Sequence, residues 1–189
     1  MHTIRTTAGT SSPLLSRSVL DWVALLERMT AADREGMVAQ LLGLSPDDRR
    51  LRFGVPVDDE FIARYVERID FERDVVFGVC TGPGRSLGIG HLVLQGDASE
   101  LGLSVLEDAR GRGLGAAIFR FAAAHAARAG AGRLYMHFLT SNRAILAIAR
   151  AARMTIESAA GEADAYLVVP PFPEFVRMLM ESAEPAPAH

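Results

Sequence analysis

Apolar residues in the first third of the chain recur mostly at helical spacing. Residues 23–26 are a short apolar run that predicts an opening strand. Thr30 stands three residues before Asp33, a spacing typical of a helix N-cap, and Gly43 is expected to end that helix. The helices predicted here cover residues 30–42, a segment beginning with Ser45 and Pro46, and residues 58–69.

Runs with β-forming residues alternate with helical patterns in the rest of the chain. A turn-forming cluster at residues 81–84 separates the first two runs, which therefore predict a hairpin. The predicted strands are residues 75–80, 87–94, 100–106, 133–139, 154–158 and 165–169, and the predicted helices are residues 113–128, 142–152 and 174–180. This order favours an α/β or α+β sandwich with one mixed sheet.

Length and composition indicate one domain with short extensions. The chain has 189 residues, of which 49% are apolar and 23% charged, and this supplies enough apolar material for a single core. We expect residues 1–19 to be a flexible N-terminal extension, residues 20–182 to be the domain, and residues 183–189 to be a flexible tail.

The net charge and the cysteine content argue against some classes of partner and indicate the cellular compartment. A net charge of -3 argues against nucleic acid and against an anionic membrane surface as partners. No apolar run approaches the roughly 20 residues of a membrane helix. The lone Cys80 gives no disulfide framework, so a reducing, cytoplasmic compartment is expected. The sequence does not determine the oligomeric state, and a homodimer is one alternative.

The most informative segment is a strand that runs into a glycine-rich turn and then a helix. Gly111, Gly113 and Gly115 follow Arg110 within this glycine turn, residues 110–115. Glycines let the backbone approach a ligand closely, and the first turn of a helix offers unpaired N–H groups to a phosphate. The segment therefore predicts an anion site.

Several classes of anion-binding loop share this chemistry, and the spacing of their conserved residue types distinguishes them. A P-loop requires Gly-Lys, and the chain contains no Lys. Gly111-x-Gly113-x-x-Ala116 fits a relaxed dinucleotide motif, but the strand at residues 133–139 ends without the acid that would hold a ribose. A glycine turn that only packs a helix on a sheet is the structural alternative.

The pattern Arg110-x-x-Gly113-x-Gly115, after a strand ending at Val105, closely resembles the acyl-CoA pyrophosphate loop of the GNAT superfamily of N-acetyltransferases. The order of elements over residues 23–169 is similar to that family as well. Residues 44–53 and 71–74 also resemble the acetyltransferase domain of bacterial Pat-type protein lysine acetyltransferases. This second resemblance does not fix the acceptor.

The GNAT resemblance implies a mixed, mostly antiparallel central sheet flanked by helices. Acetyl-CoA, the implied co-substrate, would lie between the strands at residues 100–106 and 133–139. The residues implied in its binding are Val105, Leu106, Arg110, Gly111, Arg112, Gly113, Leu114, Gly115 and Asn142. Asn142 is equally suited to cap the following helix, and the two roles can coexist.

Acyl transfer to an amine needs a proton acceptor, an oxyanion donor and a proton for the leaving thiolate. Glu100 stands where many GNAT members carry a base, although an exposed Glu at a strand start is the ordinary alternative. A backbone N–H near Val105 or Leu106 is expected to stabilise the oxyanion.

The sequence does not identify the proton donor for the thiolate, because Ala149 occupies the position of the Tyr that GNAT members often carry. Tyr135, His137, Ser141 or water could serve instead. His91 and His125 lie on apolar faces and are expected to be core or boundary residues rather than catalysts. No pair among the five His residues has the spacing of metal ligands, so no metal is expected.

These observations predict an acyltransferase that moves an acetyl group from acetyl-CoA to a primary amine of a small molecule or a protein. A non-catalytic acyl-CoA-binding regulatory module of the same fold is the main alternative, and an interaction module with an empty groove is a third. The acidic residues between positions 58 and 74 are expected to be solvated, although they could favour a cationic acceptor.

Overall fold

The computed structural model describes residues 18–82 and 84–181, which form one seven-stranded sheet and its helices. Within these residues the helices are α1 (Val19–Val23), α2 (Arg34–Leu42), α3 (Pro46–Phe53), α4 (Asp59–Glu67), α5 (Leu114–Ala129), α6 (Arg143–Ala151) and α7 (Phe172–Glu181). The strands are β1 (Glu27–Arg28), β2 (Val75–Gly82), β3 (Arg85–Gln95), β4 (Ala98–Val105), β5 (Arg133–Leu139), β6 (Thr155–Ala159) and β7 (Glu162–Val168). None of the described helices is long and apolar enough to cross a membrane.

The sheet has the strand order β1-β2-β3-β4-β5-β7-β6. Neighbouring strands are antiparallel, except for β4 and β5, which are parallel. In the described residues these two strands pair through three residue pairs, and the last of these joins Glu100 to Tyr135. The expectation of a mixed, mostly antiparallel sheet flanked by helices is confirmed.

Two apolar clusters lie on opposite faces of the sheet. On one face α5 crosses β3 and β4 and packs against α1 and α7, and Trp22 and Ile118 are fully buried there. On the other face α2 and α4 pack together against the sheet, with Met37 and Ile62 at the centre. The sheet is thus the middle of three layers, and residues of one strand face the two clusters alternately.

Glycines on β3 allow α5 to approach the sheet closely. A Cβ on Gly90 would lie 2.6 Å from two ring carbons of Phe77 and 2.8 Å from Cγ2 of Ile118. A Cβ on Gly88 would lie 3.1 Å from side-chain atoms of Ile118 and Leu114. The buried side chains of β2 and α5 therefore pack directly on the backbone of β3.

The capping residues explain why most predicted helices are confirmed. The Ser45 side chain accepts a hydrogen bond at the start of α3, where Pro46 occupies the first helical position, and Asp58 caps α4 in the same way. Gly113 and Gly130 stand at the two ends of α5 with φ of 83° and 76°. These left-handed conformations suit glycine and fix both ends of the longest described helix.

The strand predicted at residues 23–26 is wrong, because α1 occupies residues up to Val23 and the first strand is β1. Ser18 and Asp21 form a capping box before the apolar run, and this favours a helix. Ser18 and Val19 thus belong to the folded part rather than to the predicted extension. Residues 1–17 and 182–189 lie outside the described residues, so the extension and the tail stay predictions.

We expect Gly90→Ala to lower the free energy of unfolding by about 1–3 kcal/mol, because its methyl group would collide with the buried Phe77 ring. Urea unfolding followed by circular dichroism measures this loss. The double variant Gly90→Ala/Phe77→Leu should lose less stability than the sum of the two single variants. Strictly additive losses would show that the two residues do not press on each other.

Candidate active site

The site begins where β4 and β5 separate after Glu100 and Tyr135. The N–H of Leu106 donates to the carbonyl of Leu87 at 2.9 Å, and the β3–β4 register continues this bonding at every second residue of β4. In an antiparallel ladder the intervening residues direct their N–H groups to the other side. Leu103 and Val105 therefore direct backbone N–H groups into the gap between β4 and β5.

A cavity of about 590 Å³ lies between this edge of β4, the start of α5, α6 and α3, and we name it the glycine-turn cavity. The predicted cofactor residues that line it are Val105, Arg110, Gly111, Gly113, Leu114, Gly115 and Asn142. Leu106 and Arg112 do not line it. The side chain of Leu106 packs against the cluster of α2 and α4, and its N–H is bonded to Leu87, so it is not free to act as the expected oxyanion donor.

The floor of the glycine-turn cavity is the first turn of α5. The N–H of Ala117 bonds to the carbonyl of Gly113 at 3.0 Å and is the first bond of the helix ladder. The preceding N–H groups at residues 114–116 have no acceptor within the helix. A Cβ on Gly115 would lie 3.2 Å from Cδ1 of Ile148 on α6, so the glycine keeps this end of the cavity open.

Trp22 supports the glycine turn from behind. Its indole N–H donates to the carbonyl of Arg112 at 2.7 Å, and its ring is fully buried. A Cβ on Gly113, whose φ is 83°, would lie 3.0 Å from Cγ2 of Val19. Helix α1 thus fixes the backbone of the turn, a contact that the predicted extension at residues 1–19 and the predicted strand at residues 23–26 did not include.

The side chain of Arg110 is held by two protein groups. Its Nε donates to the carbonyl of Val105 at 3.0 Å, and its guanidinium lies 3.0 Å from the carboxylate of Asp48 on α3. Partial burial opposes the ionisation of Asp48, but hydrogen bonds from Arg110 and Ser45 outweigh it and lower the pKa of Asp48 below its ordinary value. Arg110 therefore links β4 to α3 across the cavity, with its remaining N–H groups available to an anion.

A second cavity of about 330 Å³, which we name the Glu100 cavity, lies on the other side of the gap. Exposed Glu100 lines it together with Arg52, His137, Glu162 and Asp164. Residues that line both cavities are Leu51, Arg52, Leu103, Asn142 and Ile145. The two cavities therefore adjoin across the separated strands.

Asn142 holds the junction of the two cavities in place. Its Oδ1 accepts a hydrogen bond from the N–H of Ile145 at 3.1 Å, and its Nδ2 donates to the carbonyl of Leu51 at 3.4 Å. The predicted cap of α6 is confirmed, and the same side chain also ties α6 to α3. A contact to a cofactor remains a prediction.

The candidates for protonating the leaving thiolate are dispersed. Ala149 is fully buried in the core, and Tyr135 lines neither cavity. His137 lines the Glu100 cavity and is hydrogen-bonded to Asp164, whereas Ser141 lines the glycine-turn cavity. Of these candidates, His137 and Ser141 are the side chains that border the cavities.

His91 is connected to the Glu100 cavity by hydrogen bonds that the sequence does not predict. It is buried on β3, and its Nε2 lies 2.8 Å from Asp74 while its Nδ1 lies 2.6 Å from the hydroxyl of Tyr65. Tyr65 in turn accepts a hydrogen bond from Arg52 at 2.9 Å. The expectation of a buried, hydrogen-bonded histidine is correct, but the chain of contacts ends at a residue that lines the Glu100 cavity.

His125 is half-buried at the edge of the core, in agreement with the predicted core or boundary histidine. Its ring stacks on Phe121 with 4.4 Å between centroids, and its Nδ1 donates to the carbonyl of the same residue at 3.1 Å. It lines neither cavity.

The separated parallel strands, the glycine turn and the two adjoining cavities place the chain in the class of GNAT-type α/β folds. The sequence profile described as acetyltransferase (GNAT) domain matches residues 24–155. The chain belongs to this GNAT acetyltransferase family, for which acetyl-CoA is the acyl donor. The resemblance inferred from the glycine turn is thereby confirmed.

Solved structures share the fold at low sequence identity. The GNAT domain of PAT from S. lividans is 20% identical with a TM-score of 0.66, and the alignment covers 76% of this chain and 89% of that chain. The ribosomal-protein-alanine N-acetyltransferase from Brucella melitensis is 17% identical with a TM-score of 0.56, covering 76% and 99%. The ribosomal L7/L12 α-N-protein acetyltransferase RimL, in complex with coenzyme A, is 14% identical with a TM-score of 0.58, covering 76% and 93%. No curated protein is similar enough to match the chain.

The buried histidine generates a prediction about stability and pH. Burial lowers the pKa of His91 below its ordinary value, and this effect outweighs the opposing hydrogen bond and charge of Asp74 and the charge of Glu100, while the positive charge of Arg52 adds to it. The folded protein therefore favours neutral His91, so its contribution to stability is complete above the ordinary pKa of about 6.5 and falls as the pH drops below it.

We expect the difference in free energy of unfolding between wild type and His91→Gln to be smaller at pH 5 than at pH 7. Urea unfolding of both proteins across this range measures the difference, and the variant serves as the control for all other titrating groups. A difference that grows on acidification would contradict a depressed pKa.

Proposed function

We propose that this protein is an acetyl-CoA-dependent N-acetyltransferase that acetylates a primary amine of a small molecule or a protein. One observation carries the proposal: the gap after Glu100 connects the N-terminus of α5 to an acidic cavity on the opposite side. A donor held at the helix and an acceptor held at Glu100 would thus meet between β4 and β5.

The glycine-turn cavity suits an acyl-CoA in three respects. The unbonded N–H groups at residues 114–116 and the helix dipole favour a pyrophosphate. The N–H groups of Leu103 and Val105 offer an extended edge to which a pantetheine amide could add as a further strand. The guanidinium of Arg110 lies at the same cavity, next to the end of β4 and the start of α5, and adds a positive charge for the pyrophosphate.

Glu100 is proposed as the proton acceptor. Its carboxylate would take a proton from the acceptor ammonium, directly or through a water, so that the neutral nitrogen can attack the thioester carbon. The new C–N bond forms first, and the tetrahedral intermediate then breaks its C–S bond and expels CoA as a thiolate while its nitrogen gives a second proton to water. The backbone N–H of Val105 or Leu103 would stabilise the oxyanion that forms between these two steps.

Protonation of the thiolate demands less of the protein than deprotonation of the amine. A thiol has an ordinary pKa near 8.5, whereas a lysine-type amine has one near 10.4, so the amine is the group farther from its reactive form at neutral pH. His137 and Ser141 border the reaction space and could supply the thiolate proton, as could water. The proposed mechanism therefore depends mainly on its base.

Ala116→Asp is expected to weaken acetyl-CoA binding about tenfold or more, because the new carboxylate would stand in the first turn of α5 and repel the pyrophosphate. The same charge favours a helix N-terminus, so the melting temperature without ligand should not fall. Ala116→Asn is the neutral control of similar size. Isothermal titration with acetyl-CoA measures the affinities, and equal affinity of the Asp and Asn variants would contradict pyrophosphate binding at this turn.

Glu100→Gln is expected to lower kcat by about 10²–10⁴-fold while leaving acetyl-CoA affinity unchanged. Thiol release from acetyl-CoA with a panel of amines across pH measures the effect. The acidic limb of the wild-type pH profile should be absent in the variant if the carboxylate is the base.

Two outcomes would replace the proposal. Binding of acetyl-CoA without turnover of any amine would favour the non-catalytic regulatory module. Failure to bind acetyl-CoA, seen as an unchanged melting temperature where a ligand at 100 times its Kd adds about 2.7 kcal/mol, would leave only an interaction module.

A further inference from the structure

Arg52 lines the Glu100 cavity and also borders the glycine-turn cavity. Arg52 lies in the last turn of α3, and a Cβ on Gly102 would stand 2.3 Å from one of its terminal nitrogens and 2.5 Å from its Cζ. A side chain at position 102 would displace the guanidinium from this position. Gly102 does not have a positive φ, so its backbone conformation does not require glycine. The glycine instead leaves space for the guanidinium of Arg52.

The charge of Arg52 has no carboxylate partner among the described residues. No carboxylate oxygen among the side chains that the structure describes lies within 4.0 Å of it, whereas Arg49 on the same helix pairs with Asp59. Of its five N–H donors, one is used, in the bond to Tyr65. A half-buried cation is costly unless it is paired, so this guanidinium is suited to a ligand anion.

A chain of hydrogen bonds keeps the guanidinium in one position. Arg52 donates to the Tyr65 hydroxyl at 2.9 Å, Tyr65 donates to Nδ1 of His91 at 2.6 Å, and Nε2 of His91 donates to Asp74 at 2.8 Å. Each of these directions is compatible with neutral His91. The ring of Phe53 also lies against the guanidinium, with Cζ 5.0 Å from its centroid.

Glu100 and Gly102 project from the same face of β4, two residues apart, which corresponds to about 6.6 Å along a strand. The Glu100 cavity therefore carries an acid, suited to an ammonium, next to a fixed guanidinium, suited to a carboxylate. We infer that Arg52 binds a carboxylate of the acceptor, so that the acceptor is an aminocarboxylic acid, such as a free amino acid, whose amine lies a few bonds from its carboxylate. This inference rests on the proposed acetyltransferase function and specifies its substrate class.

Binding of the reaction's own oxyanion by Arg52 is the competing role. The N–H groups of Leu103 and Val105 already face the gap where the thioester would lie, whereas the guanidinium stands over Gly102 on the face that carries Glu100. The two roles differ in what they predict. A carboxylate-binding residue affects acceptors that carry a carboxylate, whereas an oxyanion-binding residue affects all acceptors equally.

The test compares free L-amino acids with their α-carboxamides, which keep the amine and the side chain but lack the negative charge. Lysine peptides blocked at both ends represent protein acceptors. For wild type we expect kcat/KM to be about 10- to 100-fold higher for acids than for amides. Arg52→Gln should remove this preference by raising KM for the acids, with little change for the amides. Arg50→Gln, an exposed arginine on the same helix, is the matched control and should behave as wild type.

Tyr65→Phe tests the positioning role of the hydrogen-bond chain, because it removes the hydroxyl and keeps the ring. It should raise KM for the acids in the same direction as Arg52→Gln, by a smaller factor, without changing KM for the amides or the affinity for acetyl-CoA. Equal losses on acids and amides would assign Tyr65 a structural role.

A binding measurement separates this inference from the proposed function. Melting curves of the CoA-bound protein should shift upwards with amino acids and less with their amides, whether or not acetyl transfer occurs. The inference is overturned if acids show no advantage in either binding or turnover, if Arg52→Gln lowers kcat equally for all acceptors, or if blocked lysine peptides are preferred to free amino acids. Failure of acetyl-CoA to bind wild type would instead refute the proposed function itself.

Discussion

Strands β4 and β5 pair over three residues and then separate, and the arrangement of the site depends on this separation. Parallel strands normally satisfy each other's backbone groups, so a gap in the middle of a sheet leaves N–H and C=O groups without strand partners. Here the elements around the gap hold it open. Asn142 ties α6 to α3, Arg110 joins β4 to Asp48, and Trp22 supports the glycine turn from behind.

The separation also gives the two sides of the sheet different chemistry. Towards α5, the gap meets a helix N-terminus and glycines, which suit phosphate groups. On the other side it meets Glu100 and Arg52, whose charges suit the amine and the carboxylate of the proposed acceptor, and Arg52 also borders the glycine-turn cavity. Leu103 lines both cavities, so a donor and an acceptor would be brought together by the sheet itself rather than by a moving lid.

Local sequence signals predict much of the fold. Ser45 with Pro46 specifies the start of α3, and the glycines around α5 specify its ends, because each residue type satisfies a need of the adjacent backbone. The apolar run at residues 23–26 misled, because so short a run fits either a strand or the end of a helix. The burial of Trp22 that distinguishes the two depends on α5, about 90 residues later along the chain.

The candidate site, like the fold, can be predicted from the sequence only where local patterns specify it. The glycine turn follows from local spacing, and the family resemblance points to Glu100. In contrast, the roles of Arg52 and His91 depend on contacts among α3, α4, β3 and the segment before β2, and the sequence gives no local sign that these residues meet. Gly102 offers the one hint, since a glycine inside a strand often marks a close approach of another group.

Residue-resolved amide hydrogen exchange, with and without acetyl-CoA, tests the central role of the gap most directly. If a donor fills the space between β4 and β5, the amides of Leu103, Val105 and residues 114–116 should exchange more slowly when acetyl-CoA is bound, while amides in β2 and β3 should change little. Binding that leaves these β4 and α5 amides unprotected would show that the separated strands are not where the cofactor lies.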